Sequence, residues 1–141
     1  MADFFFFGTL RHAPLLAEVL GRRAESRPAT LAGHAVHWAE GRAFPLIVAQ
    51  EGAQAEGLLV TGLSPHDVER LDFYQGGFAR MTRDVTVMTA TGPATARAYF
   101  AAEGHWQPGE PWSLTDWQAR FGPAVVVTAR EIMAQFKVKP P

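Results

Sequence analysis

The chain opens with an aromatic run followed by a helical pattern. The four phenylalanines at 4–7 form a continuous apolar segment that ends at Gly8, which predicts a strand buried on both faces. Apolar residues then recur at helical spacing within 11–20, and Gly21 follows as a helix stop. The chain therefore begins as strand, loop and helix.

Extended segments dominate the middle of the chain. Five stretches have the apolar or alternating character of strands, and they are 31–39, 44–49, 55–61, 81–89 and 95–101. Gly52 is expected to mark a turn before the third of them. Gly92 lies in the turn of a hairpin that the last two are expected to form.

The segment after position 63 has the features of a helix start. Ser64 can cap the helix, Pro65 suits its first position, and the Asp67 carboxylate complements the helix dipole. Apolar residues follow, and the double glycine at 76–77 is expected to end the helix.

The last third of the chain predicts loop and helix. Residues 104–111 are rich in Gly and Pro and are expected to form a loop. Ser113 is a candidate cap for a helix. Pro123 is expected to begin a separate helical segment to position 136, before a tail at 137–141. Strands that mostly do not alternate with helices predict an α+β fold with a mixed or antiparallel sheet, in a single domain over 1–141.

Composition narrows the classes of function. The chain has 141 residues, of which 48% are hydrophobic and 19% charged, with a net charge of -1. This balance suits a folded domain and gives no basic surface for nucleic acid or an anionic membrane. There are no cysteines, which excludes disulfides and thiolate zinc sites and suits a cytoplasmic location. No stretch approaches the ~20 apolar residues of a membrane span.

Two segments contain candidate chemistry. The loop from Gly8 to Arg11 runs from a strand into a helix, so its backbone N–H groups could hold an anion; a plain strand–turn–helix connection is the simpler reading. The second segment delivers Asp72, Tyr74 and Gln75 to the end of a capped helix. Taken alone, it is a helix stop with a solvated carboxylate.

Together the two segments resemble the γ-glutamylcyclotransferase-like (AIG2-like) family. The resemblance spans about residues 4 to 100 and keeps the family's order of motifs. The matching motifs are Phe7-Gly8-Thr9-Leu10-Arg11, Phe44-Pro45, Glu56-Gly57-Leu58-Leu59, and Leu71-Asp72-x-x-Gln75-Gly76 followed by Phe78-x-Arg80. Phe78 replaces the family's tyrosine, and Gln75 replaces its glutamate.

The resemblance implies a fold and a reaction. The fold is a small mixed or antiparallel β-barrel of about six strands with flanking helices. The reaction cyclises a γ-glutamyl amine or peptide: the substrate's own α-amine attacks the γ-carbonyl, which yields 5-oxoproline and a free amine. No metal or cofactor is required, and the partner is a small molecule bound by a monomer or homodimer. The substrate-binding positions carried over are Phe7, Gly8, Thr9, Leu10, Arg11, Phe44, Pro45 and Phe78.

Gln75 stands where the family has its proton acceptor. A carboxamide can accept a hydrogen bond from an ammonium but cannot take its proton at pH 7. Three explanations follow: a binding protein without turnover, a replacement carboxylate, for which Glu40 is the first candidate, or a substitution introduced by engineering. The sequence leaves both an enzyme and a ligand-binding domain open.

The remaining polar and aromatic residues suggest ordinary structural roles. No histidine pair has metal-ligand spacing, so no metal site is predicted. Trp106, Trp112 and Trp117 are expected to pack in the core, with an exposed interaction surface as the alternative.

Overall fold

Six strands and three helices make up the part of the chain that the computed structural model describes, residues 1–76, 80–101, 104 and 106–136. The strands are β1 (Ala2–Phe6), β2 (Arg27–Ala39), β3 (Pro45–Leu63), β4 (Arg80–Thr89), β5 (Gly92–Ala101) and β6 (Pro108–Pro111). The helices are α1 (Ala13–Leu20), α2 (Pro65–Gly76) and α3 (Leu114–Met133), and a 3₁₀ turn covers Thr9–Arg11. Phe78 and residues 137–141 lie outside the described residues.

Five of these strands close into a mixed barrel. β1 pairs antiparallel with β3 and parallel with β5. The β4–β5 hairpin then joins β2, and β2 pairs with β3 to complete the ring. β6 adds to β2 outside the ring. The predicted α+β fold with a mixed sheet and the barrel implied by the resemblance are both confirmed.

The phenylalanine run is buried on both faces, as predicted. Phe5 and Phe7 point into the barrel, where they pack with apolar residues from the other four strands. Phe4 and Phe6 point outward and lie beneath the three helices. All four side chains are buried, and their alternation follows from the two-residue period of a strand.

Gly57 allows β3 to cross this run closely. A Cβ atom at position 57 would overlap the carbonyl oxygen of Phe6 and come within 2.6 Å of the Phe5 ring. Any larger residue would have to push β3 away from β1. The glycine of the Glu56-Gly57-Leu58-Leu59 motif therefore has a packing role in the barrel wall.

A buried carboxylate fixes the start of α2. Ser64 Oγ accepts a hydrogen bond from Asp67 N–H at 3.1 Å, and an Asp67 oxygen accepts one from Ser64 N–H at 2.9 Å, the reciprocal arrangement of a capping box. Arg22 donates to both Asp67 oxygens, at 2.7 and 3.3 Å. Asp67 is 4% exposed, so it ties α2 to the segment that follows α1 and does more than complement the dipole.

Three elements differ from the sequence-based prediction. β3 continues through position 52, where residues 50–53 bulge from the β2 ladder and Gly52 takes a φ of 83°. α3 is one helix that includes Pro123. Part of the predicted loop at 104–111 is the short strand β6.

The packing of α3 and the edge position of β6 explain two of these differences. Along α3, side chains recur every four residues and pack toward the core on both sides of Pro123, which favours one continuous helix; they are Trp117, Phe121, Val125, Ala129 and Met133. The prolines of β6 are tolerated because the strand lies at an edge of the sheet. Among the described residues, no helix has both the length and the apolar character needed to cross a bilayer.

Replacing Asp67 tests the tether between α1 and α2. Asp67→Asn should lower the free energy of unfolding by about 2 kcal/mol at pH 7, because charged hydrogen bonds from Arg22 are lost in a buried setting. These bonds hold the pKa of Asp67 below its ordinary value. The stabilisation is therefore present above the unfolded pKa of about 3.9 and is lost as pH falls through the folded pKa.

Urea unfolding of both proteins at pH 7 and near pH 3 measures the effect, and the difference should shrink at the lower pH. Asp116→Asn is the matched control, since Asp116 also lies in a first helical turn but forms an exposed ion pair with Arg120. Its effect should stay below about 0.5 kcal/mol. Equal effects of the two substitutions at pH 7 would contradict the role given to Asp67.

Candidate functional site

A cavity of about 220 Å³ opens where β1 leaves the barrel. Its wall is formed by the end of β1 and the following turn, the start of β3 with the residues before it, and the end of α2. The first residue of β4, Tyr99 of β5 and one face of α3 complete it. Seven residues singled out from the sequence meet there, and they are Phe7, Gly8, Thr9, Leu10, Phe44, Pro45 and Gln75.

Three other predicted site residues are not part of this described wall. Arg11 lines a separate cleft of about 440 Å³ beside α1. Glu40 is exposed in the turn between β2 and β3, and its backbone N–H donates to the Gln107 carbonyl at 2.8 Å. Phe78 lies outside the described residues. Their functional roles stay predictions, as do those of the seven lining residues.

The first loop has a tight backbone and a short turn. A Cβ atom on Gly8 would come within 2.9 Å of the Pro45 ring, so the glycine allows the two predicted motifs to touch. The 3₁₀ turn Thr9–Arg11 follows, and α1 begins only at Ala13. The helix expected after the Gly8–Arg11 loop therefore begins beyond the residues of this loop that line the cavity, which are Gly8, Thr9 and Leu10.

Gln75 lies in the last turn of α2, partly buried in the cavity wall. The described residues that line the cavity include no aspartate or glutamate. Tyr74, beside it, is 6% exposed, and burial raises the pKa of its hydroxyl to about 12. Both side chains are therefore uncharged near neutral pH and can take part in hydrogen bonds.

Arg80 is the only charged side chain among the described lining residues. Its guanidinium lies 5.3 Å from the centre of the Phe44 ring and 5.9 Å from that of Trp106, within cation–π range. One nitrogen is 3.4 Å from the Pro45 carbonyl oxygen. Burial lowers the pKa of Arg80 to about 10, so the group still carries its charge at pH 7.

Tyr99 connects the cavity wall to a carboxylate outside it. Its hydroxyl donates a 2.6 Å hydrogen bond to Asp72 Oδ1, and its ring stacks on Phe4 with centroids 5.3 Å apart. Burial, and then the bond to Asp72, raises the pKa of Tyr99 above its ordinary value. Tyr99 is 5% exposed, whereas Asp72 is exposed to solvent.

Trp117 closes the cavity from the helical side. It is fully buried, and its indole N–H donates to the Ala43 carbonyl at 2.8 Å. This agrees with the prediction of a core role for Trp117, and the hydrogen bond anchors α3 to the segment before β3.

The lining residues that were not identified as site residues from the sequence include Tyr74, Arg80, Tyr99 and Trp117. The sequence did contain a signal for Arg80 as a site residue, because it stands within the motif that follows Gln75. Tyr99 had none, since barrel closure brings β5 to the site. The part of the chain that the structure describes holds no cluster of three or more potential metal ligands.

Known proteins resemble this chain in fold and in sequence. A 14% identical structure called "Gamma-glutamyl cyclotransferase" has a TM-score of 0.68, covering 98% of this chain and 89% of its own. A solution structure from Arabidopsis thaliana has the same TM-score at 23% identity, covering 94% and 81%. Protein AIG2 C of Arabidopsis thaliana is 24% identical over 132 residues, 92% of this chain and 79% of that protein.

These likenesses to solved structures concern the fold. The family itself is shown by a sequence model described as "Gamma-glutamyl cyclotransferase, AIG2-like", which matches residues 4–119. That range contains β1 from Phe4 onward, the other four barrel strands and the lining residues up to Trp117. This chain belongs to the γ-glutamyl cyclotransferase, AIG2-like family.

Proposed function

We propose that the protein cyclises a small γ-glutamyl amine or peptide to 5-oxoproline and a free amine. The α-amino nitrogen attacks the γ-carbonyl carbon and gives up a proton, the bond from that carbon to the leaving nitrogen breaks, and the leaving amine takes up a proton. The observation that supports this proposal is the meeting of Gly8 and Thr9 with Gln75 around one cavity, in a chain of this family.

Intramolecular attack suits a small, largely apolar cavity. Both reacting groups belong to one substrate, so holding it in a bent conformation supplies much of the rate enhancement. The aromatic wall excludes water, and the polar groups around it can fix the orientation of the substrate. Polar groups at this wall would also stabilise the developing oxyanion. The backbone N–H groups of Gly8–Leu10 remain our predicted donors to it.

Arg80 supports recognition of a carboxylate. It carries the only charge among the described lining residues, and no ion pair to a described carboxylate satisfies it. A guanidinium can bind a carboxylate through two parallel hydrogen bonds. We assign it the substrate's α-carboxylate, which leaves the adjacent α-amine and the γ-carbonyl free to react.

A second function, ligand binding without turnover, is favoured by Gln75 itself. With glutamine in place of glutamate, the described wall holds no carboxylate that could take the substrate's proton directly. The side chains are nearly the same size, so the substitution would leave binding possible. The two functions therefore differ in one proton transfer, and one substitution separates them.

Gln75→Glu is the corresponding test. We expect wild-type protein to release 5-oxoproline slowly from γ-glutamyl amines and the variant to have a kcat at least about tenfold higher, because a general base typically contributes 10²–10⁴-fold. Gln50→Glu is the matched control, since it makes the same charge change at an exposed position of β3 and should leave the rate unchanged.

The outcomes of this assay separate the two functions. No 5-oxoproline from either protein, with γ-glutamyl amine binding detected by calorimetry, would replace the proposed reaction with binding alone. Equal rates in wild type and Gln75→Glu would contradict the placement of the base at position 75. Glu40→Gln would then be the next substitution to assay.

Arg80→Gln tests carboxylate recognition. We expect KM to rise by roughly 10- to 100-fold with little change in kcat, because a lost charged hydrogen bond costs about 1.5–3 kcal/mol of binding. Arg83→Gln is the control, since Arg83 lies three positions along β4 and is exposed. An analogue without the α-carboxylate should bind wild type and Arg80→Gln equally. If Arg80→Gln still prefers the substrate with an α-carboxylate over this analogue as strongly as wild type does, the assignment is contradicted.

A further inference from the structure

The hydrogen bond between Tyr99 and Asp72 links the inside of the cavity to a solvent-exposed carboxylate. Tyr99 lines the cavity and is itself buried. Its hydroxyl donates to Asp72 Oδ1 at 2.6 Å, a length typical of strong charge-assisted O–H···O⁻ bonds. A phenolic oxygen that donates in this way can also accept a hydrogen bond from a ligand.

The functional importance of this hydrogen bond depends on where Asp72 lies relative to Gln75. The two residues are three apart on α2 and therefore share one helix face. A carboxylate at position 75 would enter the cavity wall directly, whereas the Asp72 carboxylate reaches it through the Tyr99 hydroxyl. The chain thus retains a proton acceptor one helical turn away from the position where the family has glutamate.

We propose that Tyr99 and Asp72 form a proton relay that replaces the missing glutamate. This inference rests on the proposed cyclisation. The substrate's α-ammonium gives a proton to the Tyr99 oxygen while the Tyr99 proton passes to Asp72, and the freed nitrogen lone pair attacks the γ-carbonyl carbon. When the carbon–nitrogen bond to the leaving amine breaks, the proton returns from Asp72 through Tyr99 to that amine. The attacking nitrogen, now part of the ring, gives its second proton through the same relay to the amine, which departs as an ammonium. Proton and charge therefore balance over the cycle.

The surroundings of Tyr99 suit transfer without a free tyrosinate. Burial raises its pKa, so the phenol stays protonated. It transfers a proton only by accepting one from the substrate and donating its own to Asp72 in the same step. The stacked Phe4 ring holds the phenol plane, and pairing of Tyr99 with Thr82 fixes its backbone. A fixed geometry is what a short relay requires.

Four proteins test the relay: Asp72→Asn, Tyr99→Phe, Gln75→Glu, and Asp72→Asn combined with Gln75→Glu. We expect each of the first two to lower kcat for 5-oxoproline release by on the order of 10²-fold, with KM within about threefold of wild type. Adding Gln75→Glu to Asp72→Asn should restore kcat to within about tenfold of Gln75→Glu alone, because the direct base no longer needs the relay.

The rescue separates chemistry from structure. If the bond to Asp72 serves only to hold α2 against β5, glutamate at position 75 cannot restore activity, and an unrescued double variant overturns the relay. Glu69→Gln is the matched control, since it removes an exposed carboxylate one turn earlier on the same helix and should leave kcat unchanged.

Failure of the relay and failure of the proposed function give different results. An active Asp72→Asn protein with unchanged kcat overturns the relay alone. So does a silent wild type beside an active Gln75→Glu variant. Absence of 5-oxoproline from every protein, Gln75→Glu included, overturns the cyclisation and the relay with it.

Discussion

The burial of β1 on both faces is the constraint on which the rest of this structure depends. Phe5 and Phe7 fill the barrel interior, while Phe4 and Phe6 provide the surface on which the helices pack. A strand with two apolar faces must be covered on both, and here the closed sheet surrounds one face and a helical layer covers the other. Its carboxyl end must then emerge between the two layers. The cavity lies at that point, so the core and the site have a common origin.

The site residues come from elements that meet at this exit. β1 delivers the Gly8 turn, α2 delivers Gln75, and barrel closure brings Arg80 and Tyr99 from the β4–β5 hairpin. The tether of Asp67 to Arg22 and Ser64 fixes the start of α2, and the bond of Asp72 to Tyr99 fixes its later turns against β5. The geometry around Gln75 is therefore held from several sides, which suits a reaction that depends on positioning.

Local signals in the sequence predicted most of the elements but not the places where they meet. Consecutive phenylalanines predict a doubly buried strand, and Ser64-Pro65 predicts a helix start. Pro123 predicts the start of a separate helix and so divides α3 in the prediction, although the four-residue spacing from Trp117 to Met133 continues across it. Gly52 indicates a turn because a glycine that adopts positive φ suits a bulge as well as a turn. The contribution of Tyr99 depends on long-range strand pairing, which no local pattern contains.

The glutamine also changes the electrostatics that a bound substrate would meet. A glutamate at position 75 would line the same cavity as Arg80 and would favour the protonated form of the substrate's amine. With Gln75, the charge of Arg80 is the only one among the described lining residues. A nearby positive charge disfavours an ammonium and lowers its pKa. The substrate's amine would then release its proton more readily, which favours the proposed transfer to Asp72 through the Tyr99 hydroxyl.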